Sequence, residues 1–81
     1  MKLPRDISGE ELAKLLRKYG YEITRQTGSH IRLTTHLKEE HHITIPRHKP
    51  LKVGTLNAIL KDVANHLGIY KKILIKESFG K

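Results

Sequence analysis

The sequence of 81 residues contains no cysteine and no tryptophan, and it has only three tyrosines and one phenylalanine. Without cysteine the chain forms neither disulfides nor thiolate metal sites. The scarce aromatic residues do not cluster on one strand, so a base-stacking platform of the kind used by single-strand binders is not expected. A chain this short builds a thin core without an enclosed cleft, so we expect any chemistry to take place on an open surface.

Long apolar runs are also missing. The charged first residues are followed by no apolar run of the kind that a signal peptide has, and no stretch reaches the length of a membrane span. We therefore expect a cytoplasmic protein that has no membrane partner.

Acidic residues are scarce, because sixteen lysines and arginines stand against eight aspartates and glutamates, for a net charge of +8 at pH 7. On so small a protein this charge favours a nucleic acid, an anionic membrane surface or an acidic protein as the partner. Since base-stacking aromatics are lacking, contacts to backbone phosphates are the expected mode of nucleic-acid binding.

The segment from Ser8 to Gly20 predicts a first helix. Ser8 and Glu11 have the spacing of a capping box, and Ile7 and Leu12 occupy the two positions of a hydrophobic staple. Gly20 is a suitable helix end. The apolar residues that follow the cap keep the spacing of one helical face: Leu12, Leu15, Leu16 and Tyr19.

Three segments with alternating apolar and polar residues predict an antiparallel sheet. They run over Tyr21–Gln26, over Ile31–Thr35 and around Ile43 and Ile45, and Pro46 is suited to end the third strand. A sheet with one apolar face needs a cover on that face. The first helix and a second one are expected to provide it.

The second helix is predicted to begin near Val53–Thr55 and to end at Gly68. Its apolar positions keep helical spacing over three turns: Leu56, Ile59, Leu60, Val63, Ala64 and Leu67. The tail, residues 69–81, fits a short helix or an extra edge strand, and the helix is favoured because the sheet is already complete. The prediction is a single α+β domain over residues 1–81, in the order α-β-β-β-α, with both helices on one face of a three-stranded antiparallel sheet.

The tripeptide Gly28-Ser29-His30 lies in the predicted turn between the first two strands. Glycine permits a sharp turn, a left-handed one included, and the serine hydroxyl is available to a backbone group or a ligand oxygen. Histidine is the side chain suited to proton transfer near neutral pH. Arg25 and Arg32 flank it in sequence, so the turn is a candidate site for chemistry on an anion.

Other kinds of site find less support. His41 and His42 are neighbours on a strand and point to opposite faces, so they are not expected to share a metal, and the chain has no His-Glu-x-x-His pattern. Ser29 as a nucleophile would need a base and an orienting acid that nothing in the sequence identifies. RNA brings its own nucleophile, the 2′-hydroxyl, and its cleavage needs only proton transfer and charge neutralisation. We therefore expect RNA cleavage without a metal or another cofactor.

Five short motifs, in their order and spacing, resemble the HicA toxin family of mRNA interferases over about residues 1–69. They are Met1-Lys2-Leu3-Pro4, Gly20-Tyr21, Arg25-Gln26-Thr27-Gly28-Ser29-His30, Ile45-Pro46-Arg47-His48, and Gly54-Thr55-Leu56 with Ile59-Leu60-Lys61. The tail departs from the acidic short helix that is usual in the family.

The resemblance implies a double-stranded-RNA-binding-domain-like fold and an mRNA-cleaving toxin of a type II toxin–antitoxin pair. It places the family's catalytic histidine at His30 and implies a HicB-type antitoxin as the protein partner. We expect seven further residues to bind RNA around His30: Arg25, Gly28, Ser29, Arg32, His48, Lys49 and Lys52. Lys49 and Lys52 precede the second helix, whose N-terminal amides suit phosphate.

Two alternatives remain open at this point. A non-catalytic module that binds double-stranded RNA would share the same fold. A DNA-binding protein would need a helix for the major groove, but the second helix commits its apolar face to the core and its other positions are mixed in charge. DNA contact by this chain is therefore not expected.

Overall fold

The computed structural model describes residues 6–80. Its regular elements follow in chain order: helix α1 (Gly9–Leu16), a 3₁₀ turn (Arg17–Tyr19), strands β1 (Glu22–Gln26), β2 (His30–Thr35) and β3 (His41–Pro46), and helices α2 (Val53–Leu67) and α3 (Lys71–Phe79). The fold is α+β with a three-stranded antiparallel sheet in the order β1-β2-β3. The predicted order of elements is confirmed, and the tail forms the helix that was favoured for it.

The first helix begins as its sequence predicts. Glu11 N donates to Ser8 Oγ at 3.1 Å, and Ser8 N donates to Glu11 Oε1 at 3.2 Å, which completes the capping box. The α-helix ends at Leu16 and a 3₁₀ turn continues to Tyr19, where Gly20 takes a left-handed conformation with φ of 84°. A Cβ on Gly20 would lie 2.6 Å from Leu37 Cδ1, so this position requires glycine for conformation and for space.

Both layers of the core follow from the apolar spacing. The sheet contributes Ile31, Leu33, Ile43 and Ile45 on one face, and α1 and α2 cover that face with buried residues such as Leu12, Leu16, Leu56 and Leu60. Helix α3 adds Leu74 and Ile75 to the same core. No helix among residues 6–80 has both the length and the apolar character needed to cross a membrane.

Strand β1 departs from its prediction as a half-buried strand over Tyr21–Gln26. Tyr21 is buried but precedes the strand, and all five residues of β1 are exposed. Ile23 faces the same side as the core residue Leu33, opposite which it pairs, yet it is 47 % exposed. Strand β1 lies at one edge of the sheet, where α1 reaches it without burying Ile23.

A β-bulge in β1 changes the face of one functional residue. Ile23 pairs with Leu33 and Arg25 pairs with Arg32, so Thr24 is one extra residue between the two pairs. Strict alternation from Tyr21 would place Arg25 on the helix-covered face. The bulge turns Arg25 instead to the open face, opposite Arg32.

Candidate nucleic-acid interface

The turn between β1 and β2 is held by Thr27. Thr27 N donates to His30 O at 2.9 Å, and the amides of Ser29 and His30 both donate to Thr27 Oγ1, at 3.4 and 3.1 Å. Threonine hydroxyls commonly stabilise turns in this way. Sequence reasoning missed the role of Thr27, although a threonine two residues before Ser29 is a recognisable signal.

The left-handed conformation that glycine permits is not used at Gly28. Among residues 6–80 a positive φ occurs at Gly20, Lys38 and Gly68. A Cβ on Gly28 would meet no atom within 4 Å, so neither the backbone nor the packing of the free protein demands glycine there. What glycine does provide is open space beside His30.

His30 is the first residue of β2 and is exposed. Its Nδ1 lies 3.0 Å from Ser29 Oγ, which orients the ring. In the tautomer in which Nδ1 donates to Ser29 Oγ, the lone pair of Nε2 faces solvent, and within residues 6–80 no hydrogen-bond partner occupies it. An imidazole held in this way is able to accept or deliver a proton at an outside ligand.

Two arginines lie beside this histidine on the open face. Arg32 follows His30 by two residues on the same strand, and Arg25 is the cross-strand partner of Arg32. Both are exposed, and in the part of the chain that the structure describes neither has an acidic partner. Like charges directly opposite each other destabilise a sheet, so this pair is suited to an anion that lies between them.

The remaining predicted residues lie in the connection between β3 and α2. His48 and Lys49 line a shallow groove at the N-terminal end of α1, together with Glu10 and Glu11. Lys52 is the exposed N-cap residue of α2. The structure thus brings five predicted residues together at the turn and its strands: Arg25, Gly28, Ser29, His30 and Arg32. The other three, which follow β3 in sequence, form a second group, and Glu10 and Glu11 partly offset the charge of the groove that His48 and Lys49 line.

Arg47 joins the two groups. Its backbone N donates to Ser29 O at 2.9 Å and its Nη1 donates to Thr27 O at 2.9 Å, while Nη2 lies 3.4 Å from Glu10 Oε1. Sequence reasoning noted Arg47 only as part of a motif. Its contacts with residues about twenty positions away depend on the pairing of β3 with β2, which no local pattern reveals.

The histidines of β3 point to opposite faces. His42 lies on the open face, hydrogen-bonded to Thr34 Oγ1 and to Glu40 Oε2, each at 2.8 Å. His41 lies on the helix-covered face, where its Nδ1 is 2.8 Å from the Tyr21 hydroxyl and its Nε2 is 3.3 Å from Asp62 Oδ1. Within residues 6–80 no group of three or more side chains is arranged to hold a metal ion.

This combination of features is consistent with the double-stranded-RNA-binding-domain-like class of small α+β proteins. Within that class, a family model described as "HicA toxin of bacterial toxin-antitoxin" matches residues 9–64. The chain belongs to the HicA toxin family of bacterial toxin–antitoxin systems, and this membership implies an antitoxin partner. No curated protein and no solved structure matches the chain.

The matched range covers four of the five motifs that carried the resemblance, from Gly20-Tyr21 to Ile59-Leu60-Lys61. The opening motif, Met1-Lys2-Leu3-Pro4, lies outside both the matched range and the described residues. Helix α3 follows the matched range.

Proposed function

We propose that this HicA toxin is a metal-independent endoribonuclease that cleaves mRNA, with His30 as general acid–base and the RNA 2′-hydroxyl as nucleophile. The observation that carries the proposal is the position of His30, exposed on the open face beside two arginines that have no acidic partner among residues 6–80. Known members of the family are RNase toxins, which agrees with this reading. We further propose that residues 1–81 act as one toxin domain, since α3 contributes to the same core as the matched range.

The chemistry requires few groups. His30 Nε2 takes the proton of the 2′-hydroxyl, the 2′-oxygen attacks phosphorus, and a 2′,3′-cyclic phosphate forms as the bond to the 5′-oxygen breaks. The 5′-oxygen then takes a proton, delivered by water or by the protonated histidine. Arg25 and Arg32 lie where they would neutralise charge that develops on the phosphate oxygens.

Binding of the RNA is proposed to rest on phosphates. Arg25 and Arg32 would hold the phosphate at the cleavage site, with Gly28 and Ser29 leaving room for its close approach. A second set in the connection after β3 would follow the backbone further along: His48, Lys49 and Lys52. A HicB-type antitoxin is proposed as the protein partner.

Substitution of the histidine tests the role of His30. Because His30 points away from the core, His30→Ala is expected to stay folded and to lose RNA cleavage by about a hundredfold or more, as for the loss of a positioned proton carrier. His36→Ala is the matched control, since the side chain of His36 is 77 % exposed and lies in the loop between β2 and β3, at the other end of β2 from His30. A folded His30→Ala protein with near-normal cleavage would remove His30 from the mechanism.

Substrate chemistry tests the nucleophile and the metal independence separately. An RNA with one 2′-deoxy residue at the scissile position is expected to resist cleavage, and excess chelator is expected to leave cleavage of normal RNA intact. Cleavage that depends on added magnesium would contradict the metal-independent mechanism. Duplex RNA binding with no cleavage by the wild-type protein would favour the non-catalytic module.

A further inference from the structure

We propose that Arg47 is a positioning residue that holds the His30 turn in its reactive geometry, an inference that rests on the proposed function. Two of the three turn carbonyls that precede His30 accept hydrogen bonds from Arg47. Thr27 O accepts from Nη1, and Ser29 O accepts from the backbone N, each at 2.9 Å. Arg47, which directly follows β3, is therefore hydrogen-bonded to the residues on both sides of Gly28.

The backbone contact of Arg47 continues the ladder between β2 and β3. His30 pairs with Pro46, but the backbone N and O of His30 both bond to Thr27 on the β1 side, so this pair has no ladder hydrogen bond of its own. The hydrogen bond from Arg47 N to Ser29 O is thus the contact that extends the β2–β3 pairing past His30 into the turn. Loss of order at Arg47 would leave the ring of His30 attached to a less constrained backbone.

The side chain of Arg47 is itself anchored to α1. Its Nη2 lies 3.4 Å from Glu10 Oε1, and the side chain of Arg47 is 27 % exposed. At the same place Gly9 N donates to His48 O at 3.0 Å, and a Cβ on Gly9 would collide with the carbonyl oxygen of Pro46. The N-terminal end of α1 therefore packs directly on the end of β3. Arg47 contacts both this packed region, through Glu10, and the turn, through Thr27 O, and so restricts the movement of the turn.

Arg47 differs from the proposed RNA-binding arginines because its guanidinium group already has partners within the protein. Arg25 and Arg32 have no acidic partner among the described residues, whereas two nitrogens of the Arg47 guanidinium are engaged by a carbonyl and a carboxylate. Arg47 is thus expected to affect the turnover rate rather than the affinity for phosphates. Small displacements of a catalytic group reduce the rate strongly, which makes kcat the sensitive quantity.

The test compares Arg47→Met, Arg47→Lys and Glu10→Gln with Arg17→Met. Methionine keeps much of the packing of the arginine stem and removes the donors, and one lysine nitrogen replaces only one of the two side-chain contacts. Arg17 is an exposed arginine whose side chain makes no hydrogen bond or ion pair within residues 6–80. Steady-state cleavage of RNA, Tm and amide hydrogen exchange at Thr27 and His30 are measured for each protein.

We expect kcat to fall by about tenfold or more in Arg47→Met with KM changed less than about twofold, with partial recovery in Arg47→Lys and a smaller loss in Glu10→Gln. The amides of Thr27 and His30 are expected to exchange faster in Arg47→Met, while Arg17→Met behaves as wild type. A raised KM with unchanged kcat and unchanged exchange would overturn the inference and make Arg47 a phosphate contact.

The two proposals fail in distinguishable ways. Arg47→Met with wild-type kcat and exchange, beside an inactive His30→Ala, would sink the positioning role alone. If Arg47→Met does not fold, Glu10→Ala, which removes the acceptor of Arg47 Nη2, overturns the anchoring argument when its kcat and exchange are those of wild type. A fully active His30→Ala would overturn the proposed function, and the exchange measurement would still report on the turn.

Discussion

Arg25 and Arg32 are placed against each other by the fold, and the free protein gains nothing from their proximity. A like-charged pair directly opposite across two strands destabilises a sheet. The β-bulge at Thr24 creates the pair, since strict alternation would have separated the two side chains onto opposite faces. The arrangement is understandable if a phosphate lies between the arginines when RNA is bound.

Salt dependence tests this pair. In the His30→Ala background, which prevents cleavage, Arg25→Ala and Arg32→Ala are each expected to weaken RNA binding and to reduce the log–log salt slope by about one, because each removes one phosphate contact. Arg17→Ala is the control for loss of one positive charge elsewhere. A slope that changes equally in all three variants would show that only net charge matters, and a flat salt response of the parent would argue against phosphate binding.

At the scale of elements, the edge strand is held by the residue that precedes it. Tyr21 is buried, and its hydroxyl is 2.8 Å from His41 Nδ1 on β3, while His41 Nε2 is 3.3 Å from Asp62 on α2. His41 also stacks on His66 of α2, with ring centroids 4.4 Å apart. This chain of contacts joins the start of β1 to β3 and α2 on the side of the sheet away from His30.

Alkaline unfolding tests the Tyr21 contact. Burial, followed by the Asp62 carboxylate, raises the pKa of Tyr21 from 10.0 to about 12. Because the folded state keeps the phenol proton that the unfolded state loses, this contribution is fully present below pH 10 and is lost as the pH rises through about 12. The free energy of unfolding, measured with denaturant, is expected to fall more steeply between pH 10 and 12 in wild type than in Tyr21→Phe.

Tyr19 provides the comparison for this experiment. Burial and the hydrogen bond to Glu77 on α3 raise the pKa of Tyr19 to about 12 as well, so Tyr21→Phe is expected to keep part of the alkaline loss. The double variant Tyr19→Phe/Tyr21→Phe is expected to lose most of it. Identical pH profiles for wild type and both variants would contradict the assignment to these two phenols.

At the scale of the whole molecule, the net charge and the open sheet face indicate how an antitoxin would inhibit the toxin. The charge of +8 attracts an acidic protein as well as RNA, and opposite potentials accelerate association and favour the correct partner. His30, Arg25 and Arg32 lie on the sheet face opposite the one that α1 and α2 cover. We propose that the antitoxin covers this face and buries His30, so that RNA is excluded by direct competition.

The complex with the antitoxin tests this proposal by footprinting. Direct occlusion is expected to protect the amides of residues 28–34 and of β3 from hydrogen exchange, and to shield His30 from a histidine-modifying reagent. His36 serves as the internal control. An inhibited complex in which His30 stays reactive, with protection confined to α1 and α2, would show remote inhibition instead.

Much of the fold is determined locally and was predictable from the sequence. The capping box of Ser8 and Glu11, the apolar spacing of α2 and the glycine ends at Gly20 and Gly68 all depend on residues a few positions apart, and the structure has each of them. The family motif around His30 also spans a short stretch. Net charge depends on composition alone, so the sequence determines it without any knowledge of the fold.

The tertiary structure decided the features that depend on strand register and on how far the helices bury each strand. Alternation in Tyr21–Gln26 predicted burial, but all five residues of β1 are exposed, and the bulge at Thr24 moves Arg25 to the open face. Arg47 meets the turn only because β3 pairs with β2 and its exit packs on α1. The contacts of Arg47 join residues about twenty or more positions apart. The alternation of apolar and polar residues along one strand is the same whichever residues of the next strand it pairs with, so it does not predict these contacts.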